Sequence, residues 1–131
     1  MALLMLSCMT LTACATGMGL REDFDKSIKA YNRMLRWQEV ESAGMAFVEV
    51  ELRDDFMKKA AMLKKKGVTL TDYRIVASEY LPEKKSGEVI AEFDYFILPS
   101  NRMKTNTYRQ QWVYQEGINS WKLKSSLPTF D

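Results

Sequence analysis

The sequence contains no histidine, and its two cysteines, Cys8 and Cys14, both lie within the first fourteen residues. From Ala15 to Asp131 there is therefore no disulfide, no cysteine-based metal site and no thiol nucleophile. The absence of histidine removes the commonest general base, the serine–histidine pairing and the usual transition-metal ligand. Oxygen-only sites for calcium or magnesium stay open in principle, but no EF-hand-like spacing occurs. No charge precedes Arg21, and the net charge of the chain is only +2. No strong field is available to draw in nucleic acid or an anionic surface. Only six glycines and three prolines are present, and Gly17 with Gly19 is not a phosphate loop, because no strand precedes them. No cofactor motif, internal repeat or low-complexity tract is found.

The opening residues are apolar and small. The run is shorter than the roughly 20 residues of a membrane span and has the length of a signal-peptide hydrophobic region; the alternative reading is an ordinary apolar N-terminal helix that buries Cys8 and Cys14. It ends in Leu11-Thr12-Ala13-Cys14. This resembles the lipobox of bacterial lipoproteins. The resemblance implies cleavage after Ala13, thioether lipid on Cys14 and acylation of its new amino terminus. Several acyl chains make a stable anchor where one does not. Ala15 stands where an aspartate commonly signals inner-membrane retention, so the resemblance implies a lipid-anchored envelope protein at the periplasmic face of the outer membrane. The expected organisation is a signal peptide over 1–13, lipidated Cys14 and a short tether over 14–20, and one domain over 21–131.

Behind the tether, apolar spacing predicts three helices. Phe24, Ile28, Tyr31 and Leu35 mark the first, Arg21 to Trp37, with Glu22 and Asp23 in its first turn. The second is Glu39 to Val48, with Gly44 as a weak point. The third is Glu51 to Lys66, striped by Leu52, Phe56, Ala60 and Leu63, and Gly67 is its C-terminal cap. Alternation then predicts four strands: Val68 to Leu81, Glu88 to Leu98, Arg102 to Gln115 and Ser120 to Leu127. The fold class is α+β, with three N-terminal helices packed on a bent four-stranded antiparallel sheet in one domain.

The two-residue period sorts the faces. Val89, Ala91, Phe93, Tyr95 and Ile97 point inward, with Tyr73, Ile75, Ala77 and Glu79 from the first strand. Tyr108, Gln110, Trp112, Tyr114, Trp121, Leu123 and Leu127 join them. Arg74, Glu92, Asp94, Arg109, Lys122 and Lys124 point outward with charges that alternate across neighbouring strands. Asp72 and Asp94, which could be read as a catalytic pair, fall on that charged face and read as surface pairing. Glu79 is the only inward carboxylate, so no catalytic residue is assigned and a non-catalytic domain is expected.

The inward aromatics admit two readings. Tyr73, Tyr95, Tyr108, Trp112 and Trp121 could line a pocket for a small apolar ligand, with Asn106 and Gln110 as polar handles. Or they fill the core, which is the more common use of such residues. Lys58, Lys59 and Lys64 to Lys66 could meet headgroups or an acidic partner, and read more simply as a solvated helix end.

The stretch Arg109-Gln110-Gln111-Trp112-Val113-Tyr114-Gln115-Glu116-Gly117-Ile118-Asn119-Ser120-Trp121-Lys122-Leu123 resembles the last hairpin of the nuclear transport factor 2-like superfamily. That resemblance implies a cone of bent sheet around helices, over residues 21–127. The superfamily holds isomerases and cyclases as well as non-catalytic binding and assembly domains, so fold does not choose the activity. The carboxylates of the isomerase type have no match here. The expected role is a non-catalytic envelope interaction domain with an envelope protein or the cell wall as partner. Binding of a small apolar ligand is the alternative, and an isomerase or cyclase activity comes third.

Overall fold

The computed structural model describes residues 15–131. The signal segment and Cys14 lie outside the described residues. Helix α1 covers Ala15–Arg36, α2 covers Val40–Phe47 and α3 covers Arg53–Lys66, with a 3-10 turn at Val50–Leu52. The strands are β1, Val68–Leu81, β2, Ser86–Ile97, β3, Lys104–Gln115, and β4, Ser120–Leu123. They form one antiparallel sheet in the order β1-β2-β3-β4. The architecture is the α+β arrangement read from the sequence, three helices on a four-stranded sheet.

The stretch over 15–20 differs from the expected tether. It is helical and continuous with the rest of α1. Gly17 and Gly19 each disfavour helix by only about 1 kcal/mol, which does not break it. The Leu20 carbonyl also accepts the indole N–H of Trp121 at 3.1 Å, which ties this end of α1 to the sheet. Glu22 and Asp23 consequently sit beyond the first turn, where the helix dipole has little hold on them. The predicted stripe is intact: Phe24, Ile28, Tyr31 and Leu35 are all buried.

Left-handed Gln38 (φ 62°) reverses the chain between α1 and α2. Its Oε1 accepts the Leu70 N–H at 2.9 Å, while Arg36 donates to the Leu70 carbonyl at 3.2 Å. Those two side chains cover the start of the exposed β1 edge, where an unpaired ladder invites aggregation. At the other edge, Glu49 N–H donates to Leu123 O at 3.1 Å and Lys122 reaches Ala46 O at 2.9 Å. Gly67 ends α3 in the left-handed conformation (φ 75°), the cap expected from its position.

Register explains two misplaced residues. β1 carries an extra residue at Thr71 and another at Val76, where the pairing with β2 shifts. Each bulge advances one strand by one residue and inverts the alternation. Up to Ile75 the inward set is as predicted. Past Val76, Ala77 lies opposite Ile90 and Glu79 opposite Glu88, and both Ala77 and Glu79 are exposed. Tyr80 turns inward in their place and meets Phe24 and Trp121, with ring centroids 5.8 and 6.0 Å apart. The inner face therefore has no carboxylate where Glu79 was expected.

β4 is shorter than predicted. After Leu123 the chain makes two further bonds to Gln111, through Lys124 N–H and Ser125 Oγ, and then leaves the sheet. This lets Leu127 and Phe130 fold under the inner face, where both are buried. Phe130 packs edge-on against Tyr95 at 4.9 Å.

Candidate functional site

The inner face is a continuous aromatic cluster. Tyr31 of α1 stands at its centre, 5.5 Å from Trp112, 6.0 Å from Phe47, 6.3 Å from Tyr108 and 6.4 Å from Phe56 between ring centroids. Trp121 packs 4.8 Å from Phe24, and Tyr73 stacks on Phe93 at 5.8 Å. Such pairs contribute about 0.5–1.5 kcal/mol each beyond the area they bury. Helix α1 reaches β3 through Tyr31, and β1 and β4 through Phe24 against Tyr80 and Trp121.

Polar atoms inside the cluster are matched to one another. The Tyr31 and Tyr108 hydroxyls lie 2.7 Å apart. Burial, then the neighbouring Tyr108, pushes the Tyr31 pKa well above its ordinary value, and burial also raises Tyr108. Both remain neutral at physiological pH. Fully buried Asn32 donates to Gln110 Oε1 at 3.3 Å and accepts from Gln110 Nε2 at 2.7 Å. The Asn32 amide also donates to Ile28 O at 2.8 Å, and the Trp112 indole to Gln110 Oε1 at 3.2 Å. Every strong group of this network has a partner, as buried amides require.

The residues singled out as possible pocket lining are thereby placed. Tyr95, Tyr108, Gln110, Trp112 and Trp121 are buried in the core, and Tyr73 and Asn106 are half-buried at its margin. Gln110 is occupied by Asn32 and Trp112. Asn106 donates to Thr129 O at 2.7 Å, and Tyr95 to Asp131 O at 2.9 Å, so the C-terminal segment takes up both. The structure brings these residues together around protein atoms.

The opposite face of the sheet is charged and open. Arg74 bridges Glu92 at 2.9 Å and Asp94 at 3.1 Å, and Asp94 accepts from Thr105 at 2.7 Å. Hydrogen bonds from Arg74 first, and Thr105 second, hold the Asp94 carboxyl below its ordinary range. Asp72, directly across from Asp94, accepts the N–H of Tyr73 at 2.8 Å. Next to this network lies a cleft of roughly 190 Å³, lined by Ala77, Ser78, Glu79, Glu88, Ile90, Arg109 and Gln111 among others. Glu79 and Glu88 are register partners side by side on β1 and β2, and Arg109 lies opposite Ile90. The bulge at Val76 makes this cleft by moving Ala77 and Glu79 to the outer face. Nothing in a two-residue alternation marks a bulge, so the cleft was not legible beforehand.

On the third helix, Lys64 pairs with Glu41 at 3.1 Å, Lys66 with Asp131 at 3.1 Å and Lys59 with Asp55 at 3.4 Å. Hydrogen bonding lowers the Glu41 and Asp55 pKa values, mainly from the Glu41 backbone and from Ser126 respectively. Among the described residues, no group of three or more histidine, cysteine or carboxylate side chains is placed to hold a metal, and no helix is long and apolar enough to cross a membrane.

No family model matches this sequence, and no curated protein matches it. Among solved structures, the crystal structure of the intermembrane space region of the chloroplast protein ARC6 is similar over 76% of this chain and 92% of that chain, with 15% identity and a TM-score of 0.45.

Proposed function

We propose that this chain is a lipid-anchored domain of the bacterial cell envelope, of nuclear transport factor 2-like type, that presents its outer surface to another envelope protein or to the cell wall and catalyses no reaction. The observation that carries the non-catalytic part is the closed interior. Tyr31 and Tyr108 bond each other, and Asn32, Gln110 and Trp112 satisfy one another, all without an ionised group among them. A general acid or base needs a titratable group within reach of a substrate, and among the described residues the polar groups at the centre of the inner face, those of Tyr31, Tyr108, Asn32, Gln110 and Trp112, are neutral and bonded to one another. The anchoring part is supported by Leu11-Thr12-Ala13-Cys14.

Radiolabelled palmitate is the direct test of anchoring. Label on the wild type and none on Cys14→Ser is the expected result, with the labelled protein in the outer-membrane fraction of a density gradient. Equal labelling of both proteins sinks the anchor. Native mass spectrometry of the protein released gently from its host envelope tests the rest. A bare protein mass is expected, and a retained small-molecule mass would replace interaction by ligand binding.

A further inference from the structure

The start of α1, the β1–β2 turn and the β3–β4 hairpin all lie at one end of the molecule. Gly19, Leu20 and Asp23 of the helix share a surface recess with Lys85 of the first turn and with Tyr114, Glu116 and Asn119 around the second. The two turns are joined to each other: Tyr114 N–H donates to Lys85 O at 2.9 Å, and the Lys85 ammonium pairs with Glu116. The Trp121–Leu20 bond fixes the helix against the hairpin. Ile118, at the tip of that hairpin, is an aliphatic residue left 58% exposed. The described helix begins at Ala15, one residue after Cys14.

We infer that this end is a membrane-contact surface, with Ile118 seated among the lipid headgroups beside the anchor. The inference rests on lipidation of Cys14. A helix rises 1.5 Å per residue, so Ala15 to Leu20 spans about 9 Å. Each headgroup layer of a bilayer is about 5–8 Å deep. Six residues, Ala15 to Leu20, separate Cys14 from the Trp121 bond; they are helical, and the helix is bonded to the hairpin. The anchor therefore brings the tip within about one headgroup layer of the bilayer surface. Lys85 is neutralised by Glu116, and Lys84 is offset by Glu83 in the same turn, so contact is driven by the acyl anchor and the isoleucine and is insensitive to salt. Leu98 and Met103, exposed at the opposite end of the sheet, face away from the membrane.

The mature chain suits a single-cysteine test, because Ala15 to Asp131 holds no thiol and Cys14 would be blocked as a thioether. Full-length Ile118→Cys and Met103→Cys proteins, made in the lipidating host and shown to carry palmitate, are labelled with an environment-sensitive nitrobenzoxadiazole fluorophore. They are reconstituted into phosphatidylethanolamine–phosphatidylglycerol vesicles with and without nitroxide headgroup lipid. The expected result is blue-shifted emission and strong nitroxide quenching at position 118, with neither at 103, and no change in high salt. Palmitate-bearing protein whose two labels are quenched alike, or more strongly at 103, overturns the contact surface and leaves the anchor standing. Absence of palmitate removes the anchor and the contact surface together.

Discussion

The hydroxyls of Tyr31 and Tyr108, from the middle of α1 and the middle of β3, meet at 2.7 Å in the interior. They join the helical layer to the sheet by one polar contact inside the aromatic cluster, as the Asn32–Gln110 amide pair does by another. Both groups are held neutral by burial, with their pKa values raised. The raised folded-state values give a definite pH dependence. Below the ordinary tyrosine pKa of 10.0 neither state ionises, and the contribution is fully present. As pH rises past that value the unfolded chain loses protons and the folded one does not, so stability is lost. Urea denaturation at pH 8 and pH 11 measures this loss. Tyr31→Phe is expected to cost about 1 kcal/mol at pH 8 and to show a smaller further loss at pH 11 than the wild type.

Asn32 and Gln110 form a reciprocal amide pair that depends on both partners. Alanine at either position strands a buried amide, and each single variant is expected to lose about 2–4 kcal/mol by urea denaturation. The double variant is expected to lose less than the sum, with a coupling of about 1–3 kcal/mol. Additive losses would mean that the two amides do not support each other.

Gly44 weakened the second helix as a sequence expectation, and the packing shows its use. A Cβ there would sit 2.6 Å from the Phe56 ring, inside contact distance. In an exposed helix Gly→Ala is stabilising by up to about 1 kcal/mol. Here the overpacking outweighs that gain. Gly44→Ala is expected to destabilise by about 1–3 kcal/mol, read as a lowered thermal midpoint. A raised midpoint would show that α2 and α3 separate freely.

On the outer face, Arg74 is the main cause of the lowered Asp94 pKa. Carbon-detected carboxyl titration by NMR is expected to show the Asp94 pKa rising in Arg74→Ala. The wild-type contribution is present above the ordinary aspartate pKa and is lost as pH falls through the folded value. The acid-side fall in thermal midpoint should therefore be shallower in Asp94→Asn. Because the pair is solvent-exposed, the two variants should differ little from wild type at neutral pH.

The Trp112 and Trp121 rings carry much of the apolar contact between layers. Trp112→Ala is expected to lose about 3–5 kcal/mol, measured by the same urea transitions. A loss under about 1 kcal/mol would show that the core relaxes around the gap.

Local periodicity determined a good deal of this protein. The stripe of Phe24, Ile28, Tyr31 and Leu35 can bury only as a helix, and the alternation from Val89 to Tyr95 only as a strand, because each pattern repeats with the geometry of its backbone. The same alternation put Arg74, Glu92 and Asp94 on one charged face. The end of α3 was legible in Gly67, where a left-handed residue is needed. The tertiary structure decided the rest. The register shifts at Thr71 and Val76 arise only when β1 pairs with β2 across their turn, and the one at Val76 moved Ala77 and Glu79 to the outer cleft. Whether the inward aromatics surround an opening or each other depended on Asn32 meeting Gln110, 78 residues away, and on Phe130 folding back to Tyr95. Those contacts are made between segments far apart in the chain, so no local pattern encodes them. The residues chosen for the interior were written in the sequence, and how they fill it was settled only when the layers closed.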